Sequence, residues 1–382
     1  MSSAMNSVEA FRAEIRDWLA AHLRGAFADL KGLGGPGREH EAFAGRLAWE
    51  RHLAAHAWTC VGWPREYGGR GASVAEQIAF HEEYALADAP ARVNHIGEQL
   101  LGPTLIAHGT AEQKDRFLPP IRAAEELWCQ GYSEPGAGSD LAAVRTRATR
   151  DGDTWVVHGQ KIWTSLAHES QWCFVLARTD PGSRRHAGLS CLLVPMDQPG
   201  VAVRPITQLT GTGEFNEVFF DGARADAAHV VGAPGDGWRI AMATLGFERG
   251  VSTLGQQVGF RRELEDLIAL ARRTGALADP HVRDRLARAW SGLHAMRAGA
   301  LRGTDPSTAK LYWSHWHRDL GELAMEVRGA ASTALPGEPY ELDAWQRLFL
   351  FSRADTVYAG SSEIQRNIIA ERVLGLPKEP RP

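Results

Sequence analysis

The sequence predicts an α+β fold in which a helical N-terminal domain, a β middle domain and a helical C-terminal domain follow one another. The apolar residues Phe11, Ile15 and Leu19 stand four positions apart, which is typical of an amphipathic helix. From Trp128 onward, short runs of β-branched and aromatic residues alternate with turn residues, which indicates strands. Helical spacing returns at Gly237. The predicted domains span residues 1–125, 126–235 and 236–382.

The N-terminal domain is predicted to consist of amphipathic helices. Thr110 is expected to cap the last of them, because its hydroxyl can accept a free N–H of the first turn. The Gln113 side chain can accept the backbone N–H of Thr110 in return. Pro119 and Pro120 are expected to end that helix, because proline lacks a backbone N–H. The segment GWPREYGG at 62–69 is interpreted as a structural loop. The predicted helices are residues 8–23, 43–57, 73–86 (starting at Ala72 or Ser73), 96–108 and 111–117.

The middle domain is predicted to be a small antiparallel β-barrel, with a sandwich as the alternative. Its strands are short and are separated by Gly, Pro, Asp or Ser. No G-x-G-x-x-G motif follows a first strand, so a doubly wound nucleotide-binding sheet is not supported. The predicted strands are residues 144–147, 154–158, 172–177, 189–194, 201–205 and 217–220.

The C-terminal domain is predicted to be a four-helix bundle. Its first helical segment, 238–274, contains a stripe with Gly246, Gly250 and Gly255, each of which costs roughly 1 kcal/mol relative to Ala inside a helix. Either another helix or a bound ligand must therefore approach the backbone along this stripe. The later predicted helices are residues 281–301, 306–329, 341–358 and 362–373.

Composition and charge argue against several classes of protein. With 42 basic and 46 acidic residues the net charge is −4, and neither sign forms long runs, so no nucleic-acid partner is expected. The four cysteines show no C-x-x-C spacing, and we predict no metal site and no disulfides. No apolar run approaches the roughly 20 residues of a membrane span, and the N-terminus lacks a signal-peptide pattern. A soluble, cytoplasmic protein is expected.

Two neighbouring motifs hold the chemistry of the middle domain. The run SEPGAGSD at 133–140 is a turn of small residues, whose backbone N–H groups can approach a ligand closely. After a predicted hairpin comes GQKIWTS at 159–165, with one Trp and two hydroxyls. Taken singly, such residues are common at ordinary sheet edges. Their combination in this order is much more specific.

The two motifs resemble those of the acyl-CoA dehydrogenase superfamily, and the likeness extends from about Phe11 to Leu376. The resemblance implies an FAD cofactor on the middle domain. It also implies that Trp163 covers one face of the flavin ring, and that Thr164 or Ser165 supplies hydrogen bonds near N5. Ser139 is implied in substrate binding as well. The cofactor-binding positions that the resemblance implies are Gln130, Tyr132, Ser133, Gly138, Ser139, Trp163, Thr164, Ser165 and Ser361.

The same resemblance points to the catalytic base. Many superfamily members place a Glu directly before the Gly of a C-terminal Y-x-G-[TS] motif, but here the motif reads YAGS and that position is Ala359. Other members, of the isovaleryl-CoA and long-chain types, place the Glu on the helix beside the substrate, before an Arg. Glu248 and Arg249 match that place. The resemblance thus implies Glu248 as the base, Arg249 as an orienting residue, and the N–H of Ala359 as a donor to the substrate thioester.

The implied function is α,β-dehydrogenation of an acyl-CoA thioester, with electrons passing to an electron-transfer flavoprotein. An acyl-CoA oxidase or a flavin monooxygenase of the same fold remains an alternative. A non-catalytic structural subunit of a heteromeric enzyme is a further alternative, although Glu248 and the intact SEPGAGSD motif argue against it.

Two further regions bear on the assembly. Superfamily homotetramers complete each FAD site with a neighbouring subunit, through R-x-x-F-G-like and Q-x-x-G-G-like motifs. The first region here reads RRTGAL at 272–277, without Phe-Gly, and the second reads EVRGA, with Glu326 and Ala330 in place of Gln and Gly. These departures imply an α2β2 tetramer resembling the heteromeric steroid side-chain dehydrogenases, in which a paralogous chain supplies the ADP-side contacts. The alternative is a homotetramer in which Arg272 or Arg273 does this work.

Overall fold

A computed structural model of the chain describes residues 2–248, 252–337 and 340–378. For residues 2–6, 248 and 252–254 the description covers the backbone alone. The first three helices of the N-terminal domain pack around a core that includes Ile15, Leu53 and Phe80. Short 3₁₀ turns connect them, and a π-helical turn at Gly97–Leu101 leads into the fourth. The helices are α1 (Ser2–His22), α2 (Phe43–Ala55), α3 (Val74–Leu86), α4 (Gly102–His108) and α5 (Ala111–Arg122).

The two ends of α5 differ in how well the sequence predicts them. The capping box at Thr110 is confirmed, since its hydroxyl accepts the N–H of Gln113 and the Gln113 side chain accepts the N–H of Thr110. The prediction that Pro119 and Pro120 end the helix is wrong, because α5 continues to Arg122. Both proline carbonyls still accept backbone N–H groups of the following turn, at 3.0 and 2.9 Å. The fixed φ of proline near −65° is compatible with a helix, so only two donors are lost.

Residues 126–235 form one eight-stranded sheet with the order β6-β7-β3-β2-β4-β5-β8, and β1 pairs with β4. The twelve-residue strands β3 and β7 are much longer than predicted, because polar residues such as Gln160 and Thr164 continue the pairing. The strands are β1 (Trp128–Gly131), β2 (Arg147–Asp151), β3 (Thr154–Ser165), β4 (Trp172–Arg178), β5 (Leu189–Pro195), β6 (Val201–Ile206), β7 (Phe215–Asp226) and β8 (Val230–Val231).

The α+β organisation is confirmed, but the expectation of a closed antiparallel barrel is wrong. The sheet is open, with β6 and β8 at its edges, and β1 lies parallel to β4. Helices cover the face formed by β1, β4 and β5, where Phe117 of α5 and Leu105 of α4 share a core with Trp128 and Phe174. Because this face is buried by helices, the sheet does not have to close on itself.

The helical C-terminal domain contains the expected four-helix bundle. Helices α7 to α10 surround a core that includes Phe260, Leu293, Leu320 and Leu348. Helix α6 instead packs against β5 and α4, so that Ile240 joins the core shared by sheet and N-terminal helices. None of the described helices is long and apolar enough to cross a membrane. The helices are α6 (Gly237–Glu248), α7 (Ser252–Thr274), α8 (Pro280–Leu301), α9 (Pro306–Arg328), α10 (Ala344–Asp355) and α11 (Ser362–Ile368), followed by a π-helical turn at Ile369–Val373.

A buried ion pair ties β3 to the loop that precedes β2. The Lys161 ammonium lies 2.8 Å from Oε1 of Glu134 and donates to the carbonyls of Tyr132 (3.0 Å) and Leu176 (2.8 Å). Burial lowers the pKa of Lys161, and Glu134 opposes this effect. Burial would raise the pKa of Glu134, but Lys161 and neighbouring hydrogen bonds lower it overall, so Glu134 is ionised.

A second buried cluster connects three helices of the C-terminal bundle. In α9, His317 donates from Nδ1 to Asp355 at 2.5 Å and from Nε2 to Glu263 at 2.9 Å. Asp355 also accepts the hydroxyl of Tyr358 at 2.6 Å. Burial alone would lower the pKa of His317, but the two carboxylates raise it to about 10. His317 is therefore a cation at neutral pH and links α7, α9 and α10.

The raised pKa of His317 predicts that stability falls as the pH rises. An unfolded His titrates near about 6.5, whereas folded His317 titrates at about 10, so between these values the folded state binds the extra proton. The contribution is complete below about pH 6.5 and is lost towards pH 10, and it amounts to at most about 5 kcal/mol. Urea unfolding from pH 6 to 10 measures it. The His317→Gln variant should lose this slope, and an equal slope in both proteins would contradict the account.

Removing the Lys161 ammonium should destabilise the protein strongly. In Lys161→Met the buried carboxylate of Glu134 loses its cation, which typically costs about 3–5 kcal/mol. Lys31→Met is the matched control, because Lys31 is exposed, and its unfolding free energy should stay within about 0.5 kcal/mol of the wild type. Equal unfolding free energies for the two variants would show that the Lys161–Glu134 ion pair does not stabilise the folded protein.

Candidate active site

A β-bulge in β3 determines the position of Trp163. Lys161 pairs with Val218 and Thr164 with Asn216, so β3 has one residue more than β7 over this interval. Trp163 adopts a φ of 60°, which is uncommon for a residue other than glycine. Its indole is 56% exposed, whereas Lys161 and Thr164 are fully buried. The bulge therefore turns the indole of Trp163 towards solvent. Backbone strain of this kind, a positive φ at a residue other than glycine, is often found at functional sites.

The loop at 133–140 is closed by the same carboxylate that pairs with Lys161. Glu134 accepts the backbone N–H groups of Arg145 (2.6 Å) and Thr146 (2.8 Å), which lie between the loop and β2. The carbonyl of Ser133 accepts the N–H of Ile162 in β3 at 3.0 Å. Through these contacts the structure brings the SEPGAGSD and GQKIWTS motifs side by side.

Two side chains near this junction, half-buried Gln130 and fully buried Thr164, carry buried polar atoms. Among the described residues, neither Nε2 of Gln130 nor Oγ1 of Thr164 has a hydrogen-bond partner. Buried polar atoms in native proteins are nearly always satisfied, so these two atoms are available to a bound group or to water. Ser133 and Ser165 are half-buried, and Gly138 and Ser139 are exposed. Tyr132 is buried, with its ring edge against Phe174.

The YAGS segment forms a tight turn between α10 and α11. Ala359 has a φ of 52°, and its carbonyl accepts the side-chain amide of Gln365 at 2.8 Å. Within the described residues the N–H of Ala359 has no hydrogen-bond acceptor, so it is free to donate to a ligand. The Ser361 hydroxyl, predicted to contact the cofactor, caps α11 by accepting the N–H of Ile364 at 3.4 Å. If Ser361 also contacts a cofactor, its hydroxyl must make that contact in addition to the capping hydrogen bond.

The predicted base stands at the end of α6. Glu248 is the last residue of that helix, and the structure describes its backbone but not its side chain. Arg249 and Gly250 lie outside the described residues. The other two glycines of the predicted stripe differ from each other. A Cβ on Gly255 would lie 3.1 Å from the Cβ of His81, which identifies close packing against α3, whereas a Cβ on Gly246 would meet nothing within 4 Å. Of the two described glycines of the stripe, Gly246 therefore borders open space that a ligand could occupy.

An arginine-rich cleft beside the loop was not predicted. It has a volume of about 440 Å³ and lies between residues 140–145 and 183–185. Arg178 braces it by donating to several carbonyls, including those of Ala142 and Ala187. Arg145, Arg184 and Arg185 line the cleft and are exposed. The adjacent Arg184 and Arg185, in a turn between two predicted strands, were the sequence signal for this cleft. Sequence alone could not show that the fold places them beside Arg145.

The Lys161–Glu134 pair and the bulge were likewise missed. A Lys and a Glu within otherwise small or apolar motifs signal a buried pair, since isolated charges are expensive to bury. The bulge has no comparable signal, because a Trp at positive φ cannot be distinguished in sequence from a Trp in a regular strand.

Comparison with known proteins places the chain in one family along nearly its whole length. Three family models match: the acyl-CoA dehydrogenase N-terminal domain over residues 6–125, the middle domain over 129–223, and the C-terminal domain over 235–374. Acyl-CoA dehydrogenase IpdE1 of Mycobacterium tuberculosis is 67% identical, over 98% of this chain and 99% of the relative.

Solved structures of related proteins have the same fold. The Tcur3481-Tcur3483 steroid ACAD is 32% identical, covers 98% of both chains and has a TM-score of 0.84. The ChsE4-ChsE5 complex from Mycobacterium tuberculosis is 30% identical, with the same coverage and a TM-score of 0.81. The chain is therefore a member of the acyl-CoA dehydrogenase family.

Proposed function

We propose that this chain catalyses the FAD-dependent α,β-dehydrogenation of an acyl-CoA thioester. The observation that supports this proposal most directly is the solvent-facing indole of Trp163 on a bulge whose neighbours are fully buried. An aromatic face beside buried polar atoms without partners suits a planar, hydrogen-bonding cofactor. Membership of the acyl-CoA dehydrogenase family supports the same reaction.

The residues present fit a flavin. Trp163 would stack on the ring, while Gln130 and either Thr164 or Ser165 would bond to its polar edge. Ser133 and Ser165 are half-buried beside them, and the exposed Gly138 leaves space for a close approach to the backbone. When bound, FAD would supply the acceptor for the hydride that leaves the substrate β-carbon.

We assign proton removal to Glu248. Its carboxylate would take the α-proton, while the free N–H of Ala359 donates to the thioester oxygen as negative charge develops there. The open space at Gly246, two residues earlier in α6, leaves room for an acyl chain along the helix. Arg249 is proposed to orient the carboxylate or the substrate.

The arginine-rich cleft is proposed to hold the phosphates of CoA. Its three exposed guanidinium groups, on Arg145, Arg184 and Arg185, can each form charge-assisted hydrogen bonds to phosphate oxygens. The cleft also borders Asp140, at the end of the SEPGAGSD loop in which Ser139 is predicted to contact substrate. One ligand could therefore extend from the cleft to the flavin-facing hairpin.

The acyl group is proposed to be derived from a steroid, because a solved relative at 32% identity is a steroid ACAD. Electrons are proposed to pass to an electron-transfer flavoprotein. In an oxidase or a flavin monooxygenase the reduced flavin would instead react rapidly with oxygen, so its reoxidation rate in air separates these candidates.

We further propose an α2β2 assembly with a paralogous chain. In the Q-x-x-G-G-like region, Glu326 forms an ion pair with Arg285 and Arg328 forms one with Asp343. This stretch therefore presents a carboxylate, and a cation that is already paired, where a pyrophosphate would lie. Two of the solved relatives are two-protein assemblies, Tcur3481-Tcur3483 and ChsE4-ChsE5. Arg272 and Arg273 are exposed at the end of α7 and keep the homotetramer open as the alternative.

The Glu248→Gln variant tests the catalytic assignment. It should retain flavin and acyl-CoA binding while kcat falls by about 10²- to 10⁴-fold, because the loss acts on proton transfer alone. Flavin bleaching with short, branched, long and steroid-derived CoA thioesters measures turnover and substrate class together. Glu265→Gln, an exposed carboxylate in α7, is the matched control.

Retention of most activity in Glu248→Gln would place the base elsewhere. Adding Ala359→Glu to that variant gives a second readout. Activity regained in the double variant would show that positions 248 and 359 face the same α-carbon. If wild-type protein in its flavin-bound assembly reduces with none of the thioesters, the chain is a structural subunit.

The Trp163→Ala variant should bind FAD more weakly. Loss of stacking alone costs about 0.5–1.5 kcal/mol, or roughly 2- to 13-fold in the dissociation constant, and the flavin absorbance should shift. Trp290→Ala is the control, because Trp290 is a partly exposed indole on α8. Unchanged flavin affinity and spectrum in Trp163→Ala would rule out this strand as the surface that holds the ring.

Solution mass and flavin content test the assembly. The chain purified alone should lack a full complement of FAD, and co-purification with the correct paralogue should give a tetramer with one FAD per unlike pair. A self-assembled tetramer with one FAD per chain that turns over acyl-CoA unaided would refute the mixed assembly.

A further inference from the structure

Three histidines that belong to none of the motifs discussed above converge at the ends of two helices of the N-terminal domain. His22 is the last residue of α1, His52 lies in α2, and His56 directly follows α2. One ring nitrogen of each lies within 4.8 Å of the others. The closest pair, Nδ1 of His22 and Nε2 of His52, is 2.9 Å apart.

The backbone accounts for this convergence. His52 and His56 are four residues apart, so their rings project from the same face of α2. The end of α1 brings His22 against that face. The three ring centroids are 4.5 to 5.0 Å from one another, so the imidazoles form one compact cluster.

Neighbouring groups hold the rings in these orientations. Trp18, one turn before His22, stacks on that ring with centroids 4.4 Å apart, and its indole lies within 5.6 Å of the other two rings. Nδ1 of His56 lies 2.8 Å from the backbone carbonyl of His52. When Nδ1–H donates to that carbonyl, Nε2 of His56 becomes the ligand atom, as is usual for metal-bound histidines.

The chemistry of the three donors limits which ion the group can hold. Imidazole nitrogen is a ligand for borderline transition-metal ions. The group contains no carboxylate, so it lacks the oxygen ligands that Mg²⁺ and Ca²⁺ require.

We propose that His22, His52 and His56 form a binding site for Zn²⁺ or a similar borderline transition-metal ion. Three imidazoles are a common donor set for zinc, and the exposure of His56 leaves a fourth position for water. A bound ion would tie the end of α1 to α2 and thereby stabilise the N-terminal domain. This site replaces the expectation of no metal, which rested on cysteine spacing alone.

Zinc titration of the whole chain tests this proposal. The protein, with any affinity tag removed and stripped with a chelator, is titrated with ZnCl₂ by calorimetry, with MgCl₂ as the chemical control. We expect one Zn²⁺ per chain with a dissociation constant of about 1 µM or below, and no Mg²⁺ binding. His52→Gln and His56→Gln should each weaken the site at least about tenfold. His281→Gln, an exposed histidine on α8, should not change it.

A thermal melt provides a readout that does not depend on calorimetry. Zinc should raise the Tm of the wild type and of His281→Gln but not that of His56→Gln, whose exposed side chain can be replaced without unfolding the protein. The proposal fails if zinc binds only at millimolar concentration, or if binding persists unchanged in both site variants. In either case the three rings form only a hydrogen-bonded aromatic cluster.

Discussion

The buried ion pair between Lys161 and Glu134 is the interaction on which the candidate site depends. One carboxylate closes the loop by accepting the N–H groups of Arg145 and Thr146, and it also neutralises the ammonium on β3. That ammonium reaches the carbonyl of Leu176 on β4. A single pair therefore joins the glycine-rich loop, the bulged strand and the centre of the sheet. Its two charges are stable in the interior only because each also makes these further hydrogen bonds.

The β-bulge next to the Lys161–Glu134 ion pair separates structural from functional side chains along β3. Lys161 and Thr164 face inward and are fully buried, whereas Trp163 at positive φ faces solvent. Without the extra residue in β3, alternation would continue through this stretch, and the indole would lose its present direction. The strain is tolerated because the ion pair fixes β3 on one side and the pairing with β7 fixes it on the other.

Local rules predicted the elements that local interactions determine. The capping box at Thr110, the α+β domain order and the helical nature of the C-terminal domain follow from residue spacing and turn chemistry. Sequence reasoning failed where tertiary packing decided the outcome: α5 continues through Pro119 and Pro120, and helices rather than barrel closure cover the sheet. The family motifs located the hairpin. They could not indicate the bulge, the arginine-rich cleft or the three histidines, since these depend on segments distant in sequence.

The central claim is that the bulged hairpin is the surface that holds the flavin ring. An experimental structure of the flavin-bound protein, in whichever assembly retains the cofactor, tests this claim most directly. The account predicts the ring stacked on the Trp163 indole, with a polar edge within hydrogen-bonding distance of Thr164 or Ser165. A ring bound elsewhere, with Trp163 still exposed to solvent, would contradict it.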